Sequence, residues 1–93
     1  MIKNRANYLY KFTGIIQKKN QRKNPKHPQY FYQLNVKLEG YFHPQKLFAF
    51  KSKTKPFIWN ALETDSYVGK KYLFHCRNYS GHYYLVDWEE QQN

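Results

Sequence analysis

Two phenylalanines in the segment Leu47-Phe48-Ala49-Phe50-Lys51 have the clearest capacity for molecular recognition in this chain. Side chains alternate between the two faces of a strand, so burial of Leu47 and Ala49 would turn Phe48 and Phe50 outward. Outward rings can stack on a flat partner, and in a strongly basic protein we expect that partner to be a nucleobase. The alternative is that a loop or a second subunit covers the rings.

The charge balance favours such a partner. The chain has 93 residues, of which 16 are lysine or arginine and 6 are acidic, giving a formal net charge of +10. An excess of this size takes its counter-charge from nucleic acid, anionic lipid or an acidic protein. Aromatic residues make up 20% of the chain, more than the core of one small domain needs. We therefore expect a single domain over residues 1–93 with aromatic rings on its surface.

The densest positive charge falls in residues 18–29, a stretch with two prolines and no other apolar residue. Such a composition predicts a loop. Its cations are expected to contact phosphates, and they are Lys18, Lys19, Arg22, Lys23 and Lys26. Contacts with about four to six phosphates of a single strand predict that log K falls with log salt at a slope of about −3 to −4. The alternative is a solvated loop without a partner.

Outward positions of the other predicted strands, and the linkers beside them, supply the remaining candidates for the same surface. They are Lys11, Phe31, Lys37, Lys51, Lys53, Arg77, Tyr79 and Tyr83. Arg77 can stack on a base or pair with phosphate, whereas Lys53 has the alternative of a plain linker charge. Tyr84, Val86 and Trp88 share a parity that favours the core instead.

Catalytic and metal chemistry is not expected. The acidic residues are scattered without the spacing of a carboxylate pair, and no serine or cysteine has an evident base beside it. The glycines are too dispersed for a phosphate-cradling loop. Cys76 is the only cysteine, which excludes an intramolecular disulfide, and the four histidines lack the spacing of a metal cluster. We predict a protein without enzymatic activity, cofactor or metal.

Alternating polarity predicts most of the secondary structure. The predicted elements are strands over residues 8–18, 30–38, 47–51, 71–77 and 82–88, a helix over 56–63, a hairpin turn over 78–81 and a short tail over 89–93. Gly14 marks a bulge or a sharp coil in the first strand. In the helix, Phe57, Ile58, Ala61 and Leu62 form an apolar stripe, and Trp59 beside it is expected to cap the end of a barrel.

Five strands with one helix between the third and fourth predict the OB-fold, a mainly β Greek-key barrel of order β-β-β-α-β-β. Three stretches resemble the bacterial single-stranded DNA-binding proteins and the related primosomal replication protein B. They are the run from Asn7 through Gly14 to Ile16, the run from Lys46 to Lys51 that continues through the helix to Lys70, and Tyr72-Leu73-Phe74. The resemblance spans residues 7–88 and implies that Phe50 stacks on DNA. It also implies a homodimer through the first strand, where Leu9 and Ile15 are apolar on the outward side.

Departures from the family pattern refine this expectation. Lys51 stands where the family usually has glycine, the tryptophan before the third strand has no counterpart near His43, and the long tail with an acidic tip is absent. These differences favour a short accessory protein of the primosomal type, similar to small plastid-encoded or cyanobacterial relatives.

The sequence therefore predicts a non-enzymatic, sequence-tolerant binder of single-stranded DNA that is accessory to replication or repair. An RNA-binding OB-fold protein of translation and a protein-interaction or dimerisation adaptor are the alternatives. The single cysteine and a start without an apolar h-region favour a reducing compartment, either plastid or cytoplasm. A role at a membrane ranks last, because no apolar run is long enough to span a bilayer and no long helix pairs a basic face with an apolar one.

Overall fold

A computed structural model describes residues 9–26 and 28–92, and its strands close into one barrel. Its elements are β1 (Tyr10–Lys23), β2 (Tyr30–Leu38), β3 (Gln45–Ala49), α1 (Pro56–Thr64), β4 (Lys71–Tyr79) and β5 (His82–Gln91). The strands follow the order β1-β2-β3-β5-β4 around the barrel. Strands β3 and β5 pair in parallel, and the other four pairs of neighbouring strands are antiparallel. The predicted OB-fold barrel is confirmed, with its helix between the third and fourth strands.

The first strand closes the barrel by pairing with two partners. It pairs with β4 from Tyr10 to Ile15 and with β2 from Gly14 onward. At Gly14 the backbones approach so closely that an added Cβ would lie 2.1 Å from the carbonyl oxygen of Lys37. Glycine is therefore required at this crossing. The β-bulge lies further along, at Gln17, which has no partner in the register with β2.

The prediction of a loop over residues 18–29 is wrong in its first half. Strand β1 continues to Lys23, which pairs with Tyr30 at the start of β2, so the connection spans only residues 24–29. Backbone hydrogen bonds to β2 hold this polar stretch extended, although no apolar residue marks it as a strand. Asn24 shapes the connection, because its side-chain oxygen accepts the backbone N–H of Lys26. His27 lies outside the described residues.

The core is built by the inward faces that the alternation predicts. Four side chains of β2 are buried, namely Tyr32, Leu34, Val36 and Leu38. Leu47 and Ala49 of β3 are 1% and 0% exposed, which confirms their predicted orientation. Phe74 of β4 and Leu85 of β5 also lie in the interior. Burying a leucine, valine or phenylalanine side chain contributes about 1.5–3 kcal/mol to folding.

The short helix α1 begins with Pro56, a residue suited to the first helical position, and its C-cap is Asp65 in the left-handed conformation. Its buried side chains are Ile58, Trp59 and Leu62. Phe57 is 59% exposed, so its predicted place in the apolar stripe is wrong. Within the described part of the chain, no helix is long and apolar enough to cross a membrane.

The last two strands form a hairpin that extends beyond its predicted ends. Ser80 and Gly81 have φ values of 51° and 83°, as a tight two-residue turn requires, and Tyr79 pairs with His82 across it. The predicted hairpin turn is thus confirmed in a shorter form. Part of the predicted tail belongs to the sheet, because β5 continues to Gln91.

A second bulge in β5 reverses the predicted parity of that strand. Cys76 pairs with Leu85, whereas the preceding His75 pairs with Asp87, so Val86 is left without a partner. As a result Leu85 points into the core, and Val86 is only partly buried. The expectation that Tyr84, Val86 and Trp88 share one buried face is therefore wrong for Tyr84 and Val86, while Trp88 is buried.

Candidate nucleic-acid interface

A continuous group of rings covers the outer face of the barrel across β2, β3, β5 and the end of β4. We call it the ring surface, and its members are Phe31, Phe48, Phe50, Tyr79, His82 and Tyr84. The centroids of Phe31 and Phe50 are 4.7 Å apart, and those of Phe50 and Tyr84 are 5.4 Å apart, both in edge-to-face contact. Mutual packing of this kind holds the rings in place before any ligand arrives.

The barrel register explains why these rings share one face. Phe48 lies opposite Gln33 on β2 and beside Tyr84 on β5, and directly paired residues point to the same side of a sheet. The surface lies between the connection over residues 24–29 and the hairpin turn at Ser80. In OB-folds the face of the second and third strands, with the loops on either side of it, is the usual ligand side. Phe31, Phe48 and Phe50 thus lie together on the outer face, as the sequence predicts.

The structure places Tyr79 and Tyr84 on the ring surface and Tyr83 against the core, which differs from the prediction for Tyr83 and Tyr84. Tyr79 is 45% exposed and contacts Tyr84 at a centroid distance of 5.6 Å, so it belongs to the ring surface. The sequence predicts that Tyr83 adds to the ring surface, but the centroid of its ring lies 5.0 Å from that of Phe12 and the ring packs against the core. Tyr84 takes its place on the outside because the bulge at Val86 shifts the parity of β5. No glycine or proline in β5 marks this bulge in the sequence.

The bulge at Gln17 also decides which cations of β1 reach the outer face. Beyond it, Lys18 lies opposite Asn35, and Arg22 lies opposite Phe31 at the edge of the ring surface. Lys46 on β3 lies opposite Asn35 from the other side, so two ammonium groups flank that residue. Sequence reasoning missed Lys46, although its parity with Phe48 was sufficient to identify it.

Lys19 was predicted to contact phosphate, and the structure gives it a different role. Its ammonium group forms an ion pair of 2.8 Å with Asp65 and donates a hydrogen bond of 2.5 Å to the carbonyl oxygen of Leu62. It also lies 4.9 Å from the centre of the Tyr32 ring. Burial lowers the pKa of Lys19, but the hydrogen bond and the charge of Asp65 more than offset this and raise it. The expectation is corrected: Lys19 anchors the end of α1.

The other predicted cations fall into two groups. Arg77 lies opposite Tyr84, Lys53 lies 5.1 Å from the centre of the Tyr79 ring, and Lys51 follows Phe50 in the turn after β3. These three border the ring surface. Lys23 and Lys26 are exposed at the start of the connection over residues 24–29.

Lys11 and Lys37 do not join this surface. Lys11 pairs with His75 on β4, on a part of the barrel wall that carries none of the rings. Lys37 lies opposite Ile15, about 20 Å along β2 from Phe31. Their predicted place in the same groove is therefore wrong.

All six acidic residues are engaged away from the ring surface. Their contacts are Lys71 with Glu39, Tyr30 with Glu63, Lys19 with Asp65, Lys55 with Asp87, His75 with Glu89 and Lys70 with Glu90. Among the described residues, the cations at the ring surface are left without an ion-pair partner, and they are Lys18, Arg22, Lys46, Lys51, Lys53 and Arg77. The surface is therefore aromatic and positively charged without local compensation.

At one end, the ring surface continues into a cleft of about 350 Å³. The cleft lies between the connection over residues 24–29 and the turn after β3, and its lining residues are Asn24, Pro28, Gln29, Tyr30, Phe31, Phe50, Lys51, Ser52 and Lys53. A smaller recess of about 190 Å³ shares Pro28, Gln29, Tyr30 and Lys51 with it and reaches Trp59.

Nucleophilic chemistry has little support in this arrangement. Cys76 is buried in the barrel, and burial raises the pKa of its thiol to about 12, which keeps the sulfur protonated at neutral pH. Burial likewise raises the pKa of Tyr72 to about 12. Within the described residues, no group of three histidine, cysteine, aspartate or glutamate side chains is placed to hold a metal ion.

Comparisons with protein-family models, with curated proteins and with solved structures found no significant match to this chain. The barrel topology and the ring surface therefore carry the functional argument.

Proposed function

We propose that this protein is a non-enzymatic, sequence-tolerant binder of single-stranded DNA. The observation that carries the proposal is the ring surface, in which packed outward rings are bordered by cations that pair with none of the acidic residues in the described part of the chain. Bases of any sequence present a π-face, so stacking on Phe48, Phe50 and Tyr84 requires no particular sequence. Each stacked base contributes about 1–3 kcal/mol.

The cations support the proposal through their positions. Lys18 and Arg22 lie on β1, on one side of the rings, and Arg77 lies on β4, on the other side, where Lys53 contacts the Tyr79 ring. Lys46 lies on β3 itself, two residues before Phe48. A single strand lying on the rings would thus have ammonium or guanidinium groups along both margins for its phosphates. A paired duplex hides its base faces within the stack, so the same surface favours an unpaired strand.

The proposal extends to a role accessory to DNA replication or repair, which rests on the resemblance to the primosomal family. It also includes a homodimer through β1, since Ile15 is 39% exposed on the outer face of that strand. The buried free thiol of Cys76 is compatible with a reducing compartment, plastid or cytoplasm.

The test is a fluorescence titration of the protein with dT and rU oligonucleotides and with a matched duplex, over a series of salt concentrations. The proposal expects the dT strand to bind more tightly than the duplex, with affinity that falls steeply as salt rises. A preference for rU would move the proposal to RNA. An assembly whose mass is insensitive to salt and that binds no strand at low salt would contradict it, leaving the ring surface as a protein interface.

A further inference from the structure

The cleft at the end of the ring surface is concave, whereas stacking of bases requires only flat, exposed rings. Its volume of about 350 Å³ falls within the range of small-ligand sites. Phe31 and Phe50 belong both to the ring surface and to the wall of the cleft. A single nucleic-acid strand that lies on the rings would therefore reach the mouth of the cleft.

The polar groups of the cleft match a nucleotide. Asn24 and Gln29 line the wall that faces Phe50 and the turn after it. The side-chain oxygen of Asn24 already accepts the backbone N–H of Lys26, so Asn24 offers its NH₂ group as a donor, whereas the amide of Gln29 offers a donor and an acceptor. Lys51 and Lys53 bring positive charge to the opposite wall. Tyr30 also lines the cleft, and its hydroxyl donates a hydrogen bond to the carboxylate of Glu63.

We propose that the cleft holds one nucleotide of the bound strand, turned out of the stack. The base lies against Phe31 and Phe50 with its edge toward the amides of Asn24 and Gln29, and the phosphate lies near Lys51. Unstacked bases of single strands are commonly bound in this way, with a ring on one face and hydrogen bonds at the base edge. This inference rests on the proposed function and adds a single position at which a base is held by its edge as well as by its face.

The experiment uses the side-chain NH₂ signals of Asn24 and Gln29 in ¹⁵N-labelled protein. The probes are dAMP and deoxyribose 5-phosphate, which carries the sugar and phosphate without a base. Ser52→Phe fills the cleft, and Asn60→Phe adds the same ring to the exposed side of α1 as the matched control. Binding of a dT oligonucleotide is measured in parallel for each protein.

The expected result is a saturable shift of both NH₂ signals with dAMP and a shift at least about fivefold smaller with deoxyribose 5-phosphate, because the base supplies the stacking contact. The shifts persist in Asn60→Phe and are lost in Ser52→Phe. Equal shifts with both probes, no shift, or shifts that survive in Ser52→Phe would overturn the inference. If any of these results occurs while the unmodified protein still binds the dT oligonucleotide, the inference fails and the proposed function stands. If the unmodified protein does not bind the dT oligonucleotide, both fail.

Discussion

The ammonium group of Lys19 lies 2.8 Å from a carboxylate oxygen of Asp65, so the middle of β1 is joined to the end of α1. Lys18, its neighbour in the chain, lies opposite Asn35 on the outer face. Because the bulge at Gln17 sets this alternation, two adjacent lysines of the same basic run have different environments. One supports the fold, and the other is free to meet a phosphate.

The first prediction separates the roles of these two lysines. Lys19→Ala removes an ion pair and a hydrogen bond at a helix end, and we expect it to lower the free energy of unfolding by about 1–2 kcal/mol. Lys18→Ala should change stability by less than about 0.5 kcal/mol. In oligonucleotide titrations, Lys18→Ala should instead reduce the salt slope by about 0.7, the share of one phosphate contact. Urea unfolding and salt-dependent titration measure the two effects, and a reversed assignment would contradict the structure.

The second prediction concerns stacking by Phe50. Its ring contacts both Phe31 and Tyr84, so Phe50→Ala removes the ring at the centre of that group. We expect affinity for a dT oligonucleotide to fall about 5- to 160-fold, the equivalent of about 1–3 kcal/mol, with the salt slope unchanged. Phe57→Ala is the matched control, because Phe57 is exposed on α1 and contacts none of these rings. Equal losses in the two variants would show that the ring surface is not the binding site.

The sequence is sufficient to predict the barrel and much of its core, because one face of each principal strand is buried. In β2 the alternation from Tyr30 to Leu38 gives both the limits of the strand and its inward side. The same logic correctly orients Leu47 and Phe48 on β3. Where one side of a strand packs against the interior, hydrophobic period and structure agree.

The errors have two physical causes. The stretch from Lys19 to Lys23 is a strand because its backbone pairs with β2, and pairing of this kind leaves no hydrophobic period to detect. Each bulge reverses which face alternate residues occupy on its two sides. The bulge at Gln17 turns the following Lys19 inward, and the bulge at Val86 turns the preceding Tyr84 outward. Neither bulge has a glycine, so counting alternate residues across them gives the wrong face.

The third prediction concerns Gly14, where β1 passes from β4 to β2. In Gly14→Ala the new Cβ would lie 2.1 Å from the carbonyl oxygen of Lys37 and 2.9 Å from Cα of Leu38. Because both neighbours are backbone, the strands must separate, and we expect a loss of about 3 kcal/mol or more in the free energy of unfolding. Gly81→Ala is the comparison: its Cβ meets open space, and its positive φ should cost about 1–2 kcal/mol. Thermal or urea unfolding ranks the two variants, and a smaller loss in Gly14→Ala would contradict the close approach.

The fourth prediction concerns the pH dependence of stability that arises from Asp87. Burial raises the pKa of this carboxyl group, but hydrogen bonds from Lys55, at 2.8 Å, and from the backbone N–H of Trp88, together with the charges of Lys55 and His75, lower it below its ordinary value of 3.8. A carboxyl group whose pKa is lower in the folded state stabilises the fold fully above the unfolded pKa, and this stabilisation is lost as pH falls through the folded pKa.

We therefore expect Asp87→Asn to destabilise the protein at pH 6 and to differ little from the unmodified protein once the pH is below the folded pKa. The measurement is the urea midpoint at a series of pH values from 6 down to 2. Glu90→Gln is the matched control, because it removes the same charge from an exposed, longer ion pair of 3.7 Å with Lys70, which contributes little. A constant difference between Asp87→Asn and the unmodified protein across the whole series would show that the ion pair with Lys55 is not the source, because that pair must disappear when Asp87 is protonated.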